Sequence, residues 1–317
     1  MSKKMRGNLM LILTALIWGS SFVAQKSGMD LIGPMAFNGI RTVIGGVVLI
    51  PAIMFLDRWK AKKSIISGET ETEASAEEKR IEKKNLIIGG ICCGIALLVA
   101  SSLQQIGIFY TTAGKAGFIT ALYVVLVPIC GLFLGKKVRP IVWLCVAASA
   151  VGLYLLCMPA GGGFGHINKG DLLIMICALC FTGHILVIDH FSPKVDGVRL
   201  SCIQFFVAGI VSIILMFPLD PALGFELPTL GTIIDSMIPI LYAGVLSCGV
   251  AYTLQIVAQA DTDPTIASMI LCLESVFAVI AGMIILGESM SFREITGCVI
   301  MFAAIVVSQL PSKEALK

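Results

Sequence analysis

Few residues in this chain could do chemistry, and those few sit in apolar surroundings. Glu274 lies about ten residues from either end of an apolar stretch, Thr265 to Leu286. A carboxylate at such a depth in hydrocarbon must be paired, hydrated or protonated. Two roles fit it: structural pairing with a neighbouring helix, or a place in a substrate or proton pathway. Arg41 sits two turns inside another apolar stretch, at roughly 10 Å depth by the helical rise. Its long side chain could reach back to the surface or bond a neighbouring helix. It could equally clamp an anion or meet Glu274 in two-point geometry.

His184 follows Cys177 and Cys180 on one helix face, a stripe that could bind a soft metal if a second ligand cluster existed. None is visible, so no metal site is expected, and His184 is either a cavity histidine that senses protonation or a packed one. The carboxylates at Asp261 and Asp263, and the pair Asp189 and His190, lack a matching partner for acid–base or metal chemistry. The run Gly161 to Gly165 has no preceding strand and no following Lys-Ser/Thr, so it is no phosphate loop. No catalytic residue and no cofactor are expected, and the chain does not read as an enzyme.

Neutral polar residues are more informative. Thr14, Trp18, Ser21 and Gln25 fall at helical spacing, as do Cys248, Tyr252, Gln255 and Gln259; Ser101, Gln104 and Gln105 lie in a third stretch, and Thr120 and Tyr123 in a fourth. Each could be interhelical hydrogen-bonding glue. As a set, amides and hydroxyls beside aromatic rings suit a small polar or amphipathic solute such as an amino acid. The expected substrate cavity comprises Trp18, Ser21, Gln104, Gln105, Thr120, Tyr123, His184, Tyr252, Gln255 and Glu274, with Glu274 and Arg41 as the charge-coupling pair.

What must position these residues is a membrane. Of 317 residues, 57% are apolar and 14% charged, against about 25% charged in soluble domains. Fifteen of the 43 charges also crowd into Asp57 to Lys84. This composition excludes a soluble enzyme, a disordered chain and a nucleic-acid binder. Cutting at charge, Pro and Gly clusters gives ten spans of a length suited to cross a bilayer: Asn8–Ala24, Met35–Leu56, Leu86–Ile108, Ala116–Leu134, Pro140–Cys157, Leu172–Ile188, Leu200–Phe217, Met237–Val257, Thr265–Leu286 and Phe292–Gln309. All 11 Cys fall inside them, as small apolar residues rather than a disulfide framework. Lys3, Lys4 and Arg6 precede the first span without a small-x-small cleavage site after it, so that span is expected to be retained. With the N-terminus inside, 18 Lys or Arg lie on inner segments and four on outer ones. The positive-inside rule then places both termini and the 57–84 loop in the cytoplasm of a cell-membrane protein.

The chain also repeats. "RGNLMLILTALIWGSSF" from Arg6 aligns with "KGDLLIMICALCFTGHI" from Lys169 at an offset of 163, pairing Gly7 with Gly170, Asn8 with Asp171 and Trp18 with Phe181. The same offset pairs Arg41 with Gln204. Further on the offset falls to 151 or 152, matching "SLQ" at Gln104 with "TLQ" at Gln255 and "LFLGKK" from Leu132 with "MIILGE" from Met283. The charged 57–84 segment, present in the first half alone, accounts for the drop. It reads as a solvated loop with room for a short amphipathic helix. The expected fold is an all-α membrane protein of ten transmembrane helices in two five-helix repeats, 1–158 and 159–317. Five is odd, so the second repeat is inverted, the usual construction of alternating-access transporters.

With "ALIWGSSF" in the first span, "FNGIRTVIGG" in the second, "KAGFITALYVVLVPICGLFLGKK" in the fourth and "LESVFAVIAGMIILGE" leading into the tenth, the chain resembles the EamA-type transporters of the drug/metabolite transporter superfamily. The resemblance implies a ten-helix bundle, a cavity lined mainly by the first, third, fourth, sixth, eighth and ninth helices, and transport of small metabolites. Three departures stand out. Lys136 occupies a position often Glu in the first half, Glu288 being its counterpart; Ser275 follows Glu274 where Pro is common; and the 57–84 insert is long. Without that Pro, an expected kink beside Glu274 is lost.

The function expected is secondary transport of a small organic metabolite, amino-acid-like or amphipathic, by alternating access with possible proton coupling. A membrane-embedded sensor or scaffold is the alternative, an intramembrane enzyme a weaker one. The expected partners are a small-molecule substrate and the lipid bilayer, with no nucleic acid.

Overall fold

The computed structural model describes residues 3–29, 31–67, 76–111, 113–157, 168–286 and 291–309. Among them every regular element is helical. The runs are α1 Lys3–Gly28, α2 Pro34–Ser67, α3 Ala76–Tyr110, α4 Ala113–Ala121, α5 Tyr123–Phe133, α6 Pro140–Cys157, α7 Lys169–Phe191 and α8 Gly197–Ala222. Short α9 Leu230–Asp235 and α10 Met237–Leu241 follow, then a π-wound stretch Tyr242–Tyr252, α11 Thr253–Gln259, α12 Pro264–Leu271, α13 Glu274–Leu286 and α14 Phe292–Gln309. Six helical stretches are long and apolar enough to cross a membrane, and four shorter apolar ones accompany them, Ile119–Phe133, Pro140–Leu155, Pro264–Ala278 and Ile295–Ser308. Large apolar side chains such as Phe55, Leu144, Ile214 and Val299 are exposed on their flanks, as lipid-facing helices require. The fold is that of an all-helical, multi-pass membrane protein.

Caps mark where the chain enters its helices. Asn168 and Asp171 form a capping box at α7, and Asp196 and Asp263 accept the first amides of α8 and α12. These side chains satisfy donors that the helices cannot satisfy themselves. At α2, Gly33 precedes the helix and the cap comes from elsewhere: fully buried Asp220, near the end of α8, accepts Met35 N and Ala36 N at 2.9 Å each. At the other end of the same helix pair, Arg199 donates to exposed Asp57 at 2.8 and 2.9 Å. Asp57 and Asp220 are separated by 163 positions, the repeat offset.

The 57–84 segment is more helical than its sequence suggested. Described α2 continues to Ser67 and α3 begins at Ala76, giving helices of 34 and 35 residues. Lys, Glu, Arg and Ala are good helix formers even in water, and Glu77 and Glu78 sit in the first turn of α3, where the helix dipole favours acids. The Gly161–Gly165 run, Glu288 and the segment 68–75 lie outside the described residues.

Packing pairs the helices in a regular way. Helix α2 lies along α8, α3 along α7 and α8, and α6 along α14; α1 touches the π stretch, α11, α12 and α13, while α7 touches α3, α4 and α5. Helices α2 and α8 approach through glycine: a Cβ on Gly39 would lie 2.9 Å from Ile213 N, and one on Gly209 would lie 2.9 Å from Val43 N. Lys4 and Arg139 line one cavity, and Arg139 donates to Ser308 O. The start of α1, the start of α6 and the end of α14 therefore share one end of the bundle, here termed the terminal end. Asp220, Met35, Thr111 and Asp171 lie at the far end.

Candidate functional site

Two helical stretches are broken in the middle of the bundle, and the breaks create the site. Helix α4 gives way to α5 at Leu122, and α12 to α13 at Cys272 and Leu273. The second break forms with Ser275 in place of the expected Pro, so that departure leaves Glu274 well aimed. Glu274 opens α13, and Ser275 donates to Gly117 O of α4 at 3.5 Å. Tyr123 opens α5 and donates its hydroxyl to Glu274 Oε1 at 3.0 Å. The two residues are 151 positions apart, the same spacing as the later offset in the sequence. Both side chains are buried.

Around this bond lies a narrow cavity of about 30 Å³. Trp18, Ser21, Phe22 and Gln25 line it from α1, Arg41 from α2, Gln104 from α3, Thr120 from α4, Tyr123 from α5, Phe181 from α7, Ser247 and Tyr252 from the π stretch, and Glu274 from α13. One wall is aromatic, with the Trp18 and Tyr252 rings 4.5 Å apart. Another is a polar ladder: Gln25 Nε2 donates to Ser21, Ser21 to Ser247, and Gln104 Nε2 to Thr120, at 3.0, 3.4 and 3.3 Å. Gln25 Oε1 is buried without a hydrogen-bond partner, an acceptor held ready for a donor.

Arg41 is buried rather than reaching for the surface. Its Nε and Nη2 donate to Asn38 Oδ1 at 3.2 and 2.9 Å, and Asn38 in turn donates to Ser101 and Ser212. Its guanidinium stands 5.7 Å from the centre of the Phe37 ring. Arg41 and Glu274 face the same cavity, yet no ion pair joins them. One cationic and one acidic group are thus presented to a common space.

Seven of the ten expected cavity residues come together here: Trp18, Ser21, Gln104, Thr120, Tyr123, Tyr252 and Glu274. Three are buried with other partners. Gln105 donates to Gln25 O, Gln255 to Gln259 Oε1, and His184 Nε2 lies 3.0 Å from Gln204 Oε1 with its ring edge toward Tyr252. Phe22, Gln25, Phe181 and Ser247 line the cavity beyond the expected set. Phe181 carries the signal of the repeat, being the counterpart of Trp18. Ser247 is hidden in the sequence because π winding brings residues five apart, such as Ser247 and Tyr252, onto one face. Arg41 adds the second span to the implied lining. Elsewhere, Lys136 pairs with Asp189, and His190 Nε2 lies 2.8 Å from Lys194 Nζ. No cluster of three metal-ligating residues occurs among the described residues.

A membrane-embedded polar cavity between broken helices defines a class, the multi-pass carriers of small molecules. The EamA-like transporter family matches this chain over residues 5–158 and again over 168–309. An uncharacterized transporter of Archaeoglobus fulgidus is 31% identical over 97% of this chain and 87% of its own length. An S-adenosylmethionine/S-adenosylhomocysteine transporter of Chlamydia muridarum is 23% identical over 64% of this chain and 61% of its own. A solved crystal structure superposes with a TM-score of 0.72 at 16% identity, covering 98% of this chain and 99% of that one. The chain belongs to the EamA-like transporter family of the drug/metabolite transporter superfamily.

Proposed function

We propose that this transporter is a secondary carrier of the cell membrane that moves a small, amino-acid-like or amphipathic metabolite by alternating access, with Glu274 taking up and releasing a proton. In this reading the six long and four short apolar stretches make ten crossings, arranged as inverted halves 1–158 and 159–317, with both termini cytoplasmic. The packing supports it. Exchanging each span for its counterpart turns the α3–α7 contact into that of α1 with α11 and the π stretch, the α1–α13 contact into that of α7 with α5, and the α1–α12 contact into that of α7 with α4. The α2–α8 and α6–α14 contacts map onto themselves. Two separate family matches, one per half, point the same way.

The observation that carries the chemistry is the Tyr123–Glu274 bond inside a cavity that also presents Arg41. A carboxylate on the cargo fits Arg41, a cationic group fits Glu274, and an apolar or ring portion fits Trp18, Phe181 and Tyr252. S-adenosylmethionine is of this class, with a carboxylate, cationic groups and a planar base, and the named Chlamydia muridarum relative favours testing it. A thermal-shift screen of amino acids, their amides and S-adenosyl compounds would identify the cargo, since a bound ligand stabilises the native state by mass action. Counterflow of the radiolabelled hit in proteoliposomes then separates carrier from sensor. Binding without counterflow would overturn the carrier reading.

A further inference from the structure

The two ends of the bundle contain the same helix crossing in different states. The repeat offsets of 163 and 151 relate Gly7, Asn8, Ala258 and Thr262 at the terminal end to Gly170, Asp171, Gly107 and Thr111 at the far end. At the far end the crossing is shut. A Cβ on Gly170 would lie 2.8 Å from Gly107 O and 2.7 Å from Tyr110 Cβ, so α7 and α3 touch backbone to backbone. Thr111 donates its hydroxyl to Asp171 Oδ1 at 2.6 Å, and Lys169 Nζ covers the Tyr110 ring 4.4 Å from its centre.

At the terminal end the equivalent crossing is looser. A Cβ on Gly7 would lie 2.8 Å from the Thr262 hydroxyl oxygen but 3.6 Å from the nearest backbone atom, Ala258 O, so a side chain rather than backbone fills this contact. Thr262, the counterpart of Thr111, has its hydroxyl oxygen buried with no hydrogen-bond partner. Beside it opens a second cavity of about 300 Å³, lined among others by Lys4, Lys137, Arg139, Asp261 and Thr262. A polar stripe at helical spacing, Tyr252, Gln255, Gln259 and Thr262, runs from the central cavity to this vestibule. The equivalent far-end stripe is interrupted: the counterpart of buried Gln259 is Ile108, equally buried but apolar.

We propose that Thr111 with Asp171, and Thr262 with Asn8, are the outer and inner gates of one carrier, the outer bond made and the inner one released. The vestibule is then the cytoplasmic mouth of the central cavity. This assignment rests on the alternating-access reading. It adds that one side-chain hydrogen bond, repeated by the inverted symmetry, selects which face is closed.

Reporter cysteines in a Cys-free background test it, with Gln259→Cys placed in the inner stripe and Ile108→Cys at the equivalent outer position. An impermeant maleimide should label the Gln259→Cys protein from the cytoplasmic face faster than it labels the Ile108→Cys protein from outside. Adding Thr111→Val removes the outer donor while keeping its shape, and leaves Asp171 free to cap α7. It should raise outer labelling and lower inner labelling, shifting the ratio of the two rates by about fivefold, the equilibrium effect of one hydrogen bond. Thr262→Val should shift both rates the opposite way, and Thr111→Ser should restore the starting rates. Unchanged rates in both valine variants, or outer labelling that rises without a fall inside, would overturn the gates. Counterflow on the same proteins separates the two failures. Transport without reciprocal labelling removes the gates alone, whereas reciprocal labelling without transport removes the carrier reading and leaves the gates standing.

Discussion

Gly19 is the closest point between α1 and the helix that carries Glu274. A Cβ there would lie 2.5 Å from Glu274 O, 2.7 Å from Ala278 N and 2.7 Å from Phe277 Cβ. None of these atoms is the far end of a flexible side chain, so no rotamer change relieves the clash. Ordinary contact begins at 3.4 Å, and Gly19→Ala must therefore push α1 and α13 apart by about 0.9 Å. The first turn of α13 would move relative to Trp18 and Ser21 on α1, and the Tyr123–Glu274 bond, 3.0 Å long, would stretch with it. Overpacking of this kind costs about 1–3 kcal/mol. Purified Gly19→Ala protein should melt several degrees below the parent, and exchange of cargo in proteoliposomes should fall by tenfold or more. Gly183→Ala in α7 is the control, because its Cβ would meet nothing within 4 Å; it should match the parent or exceed it slightly, since Ala in a helix is favoured over Gly by about 0.5–1 kcal/mol. If Gly19→Ala melts and transports like Gly183→Ala, the contact between α1 and the Glu274 turn does not govern the site.

Three further outcomes follow from the same geometry. Asp220→Ala leaves Met35 N and Ala36 N buried without their acceptors, which should cost about 1–3 kcal/mol in thermal unfolding. Arg199→Ala at the other end of the α2–α8 pair breaks only an exposed ion pair, and its melting temperature should stay close to the parent's, as expected for surface pairs worth about 0–1 kcal/mol. Trp18→Ala removes one ring of the aromatic wall, and cargo affinity in the binding assay should weaken by about tenfold, the scale of an aromatic contact.

Much of the helical framework can be read from hydropathy, because a membrane span must be long, apolar and self-bonded. The polar cavity residues are legible for a related reason: Trp18, Ser21, Gln104, Thr120 and Tyr123 are groups that hydrocarbon disfavours, set at helical spacing. Where winding departs from the α-helix, that spacing misleads. The π stretch moves Ser247 into the cavity, and the breaks at Leu122 and Leu273 are not marked by a Pro at the break itself. They arise where α4 and α5 meet α12 and α13, which is tertiary information. His184, Gln105 and Gln255 carry the same polarity signal as true lining residues, but each turns to a buried amide or carbonyl partner, and composition cannot tell one burial from the other. The helical ends of the 57–84 segment were hidden by their charge, which marks solvent exposure but does not oppose helix formation.

The central claim is that Glu274 couples a proton to cargo movement, and replacing one carboxyl tests it most directly. Glu274→Gln keeps the shape and an acceptor for Tyr123 while fixing the neutral state. Accumulation of radiolabelled cargo driven by a pH gradient and exchange at equal pH would be measured on the same proteoliposomes. The account predicts that Glu274→Gln abolishes the gradient-driven accumulation and leaves the exchange largely intact. Accumulation that persists at the parent's level in Glu274→Gln, with Glu274→Ala merely lowering the yield of folded protein, would make Glu274 a structural tie between helices and contradict the claim.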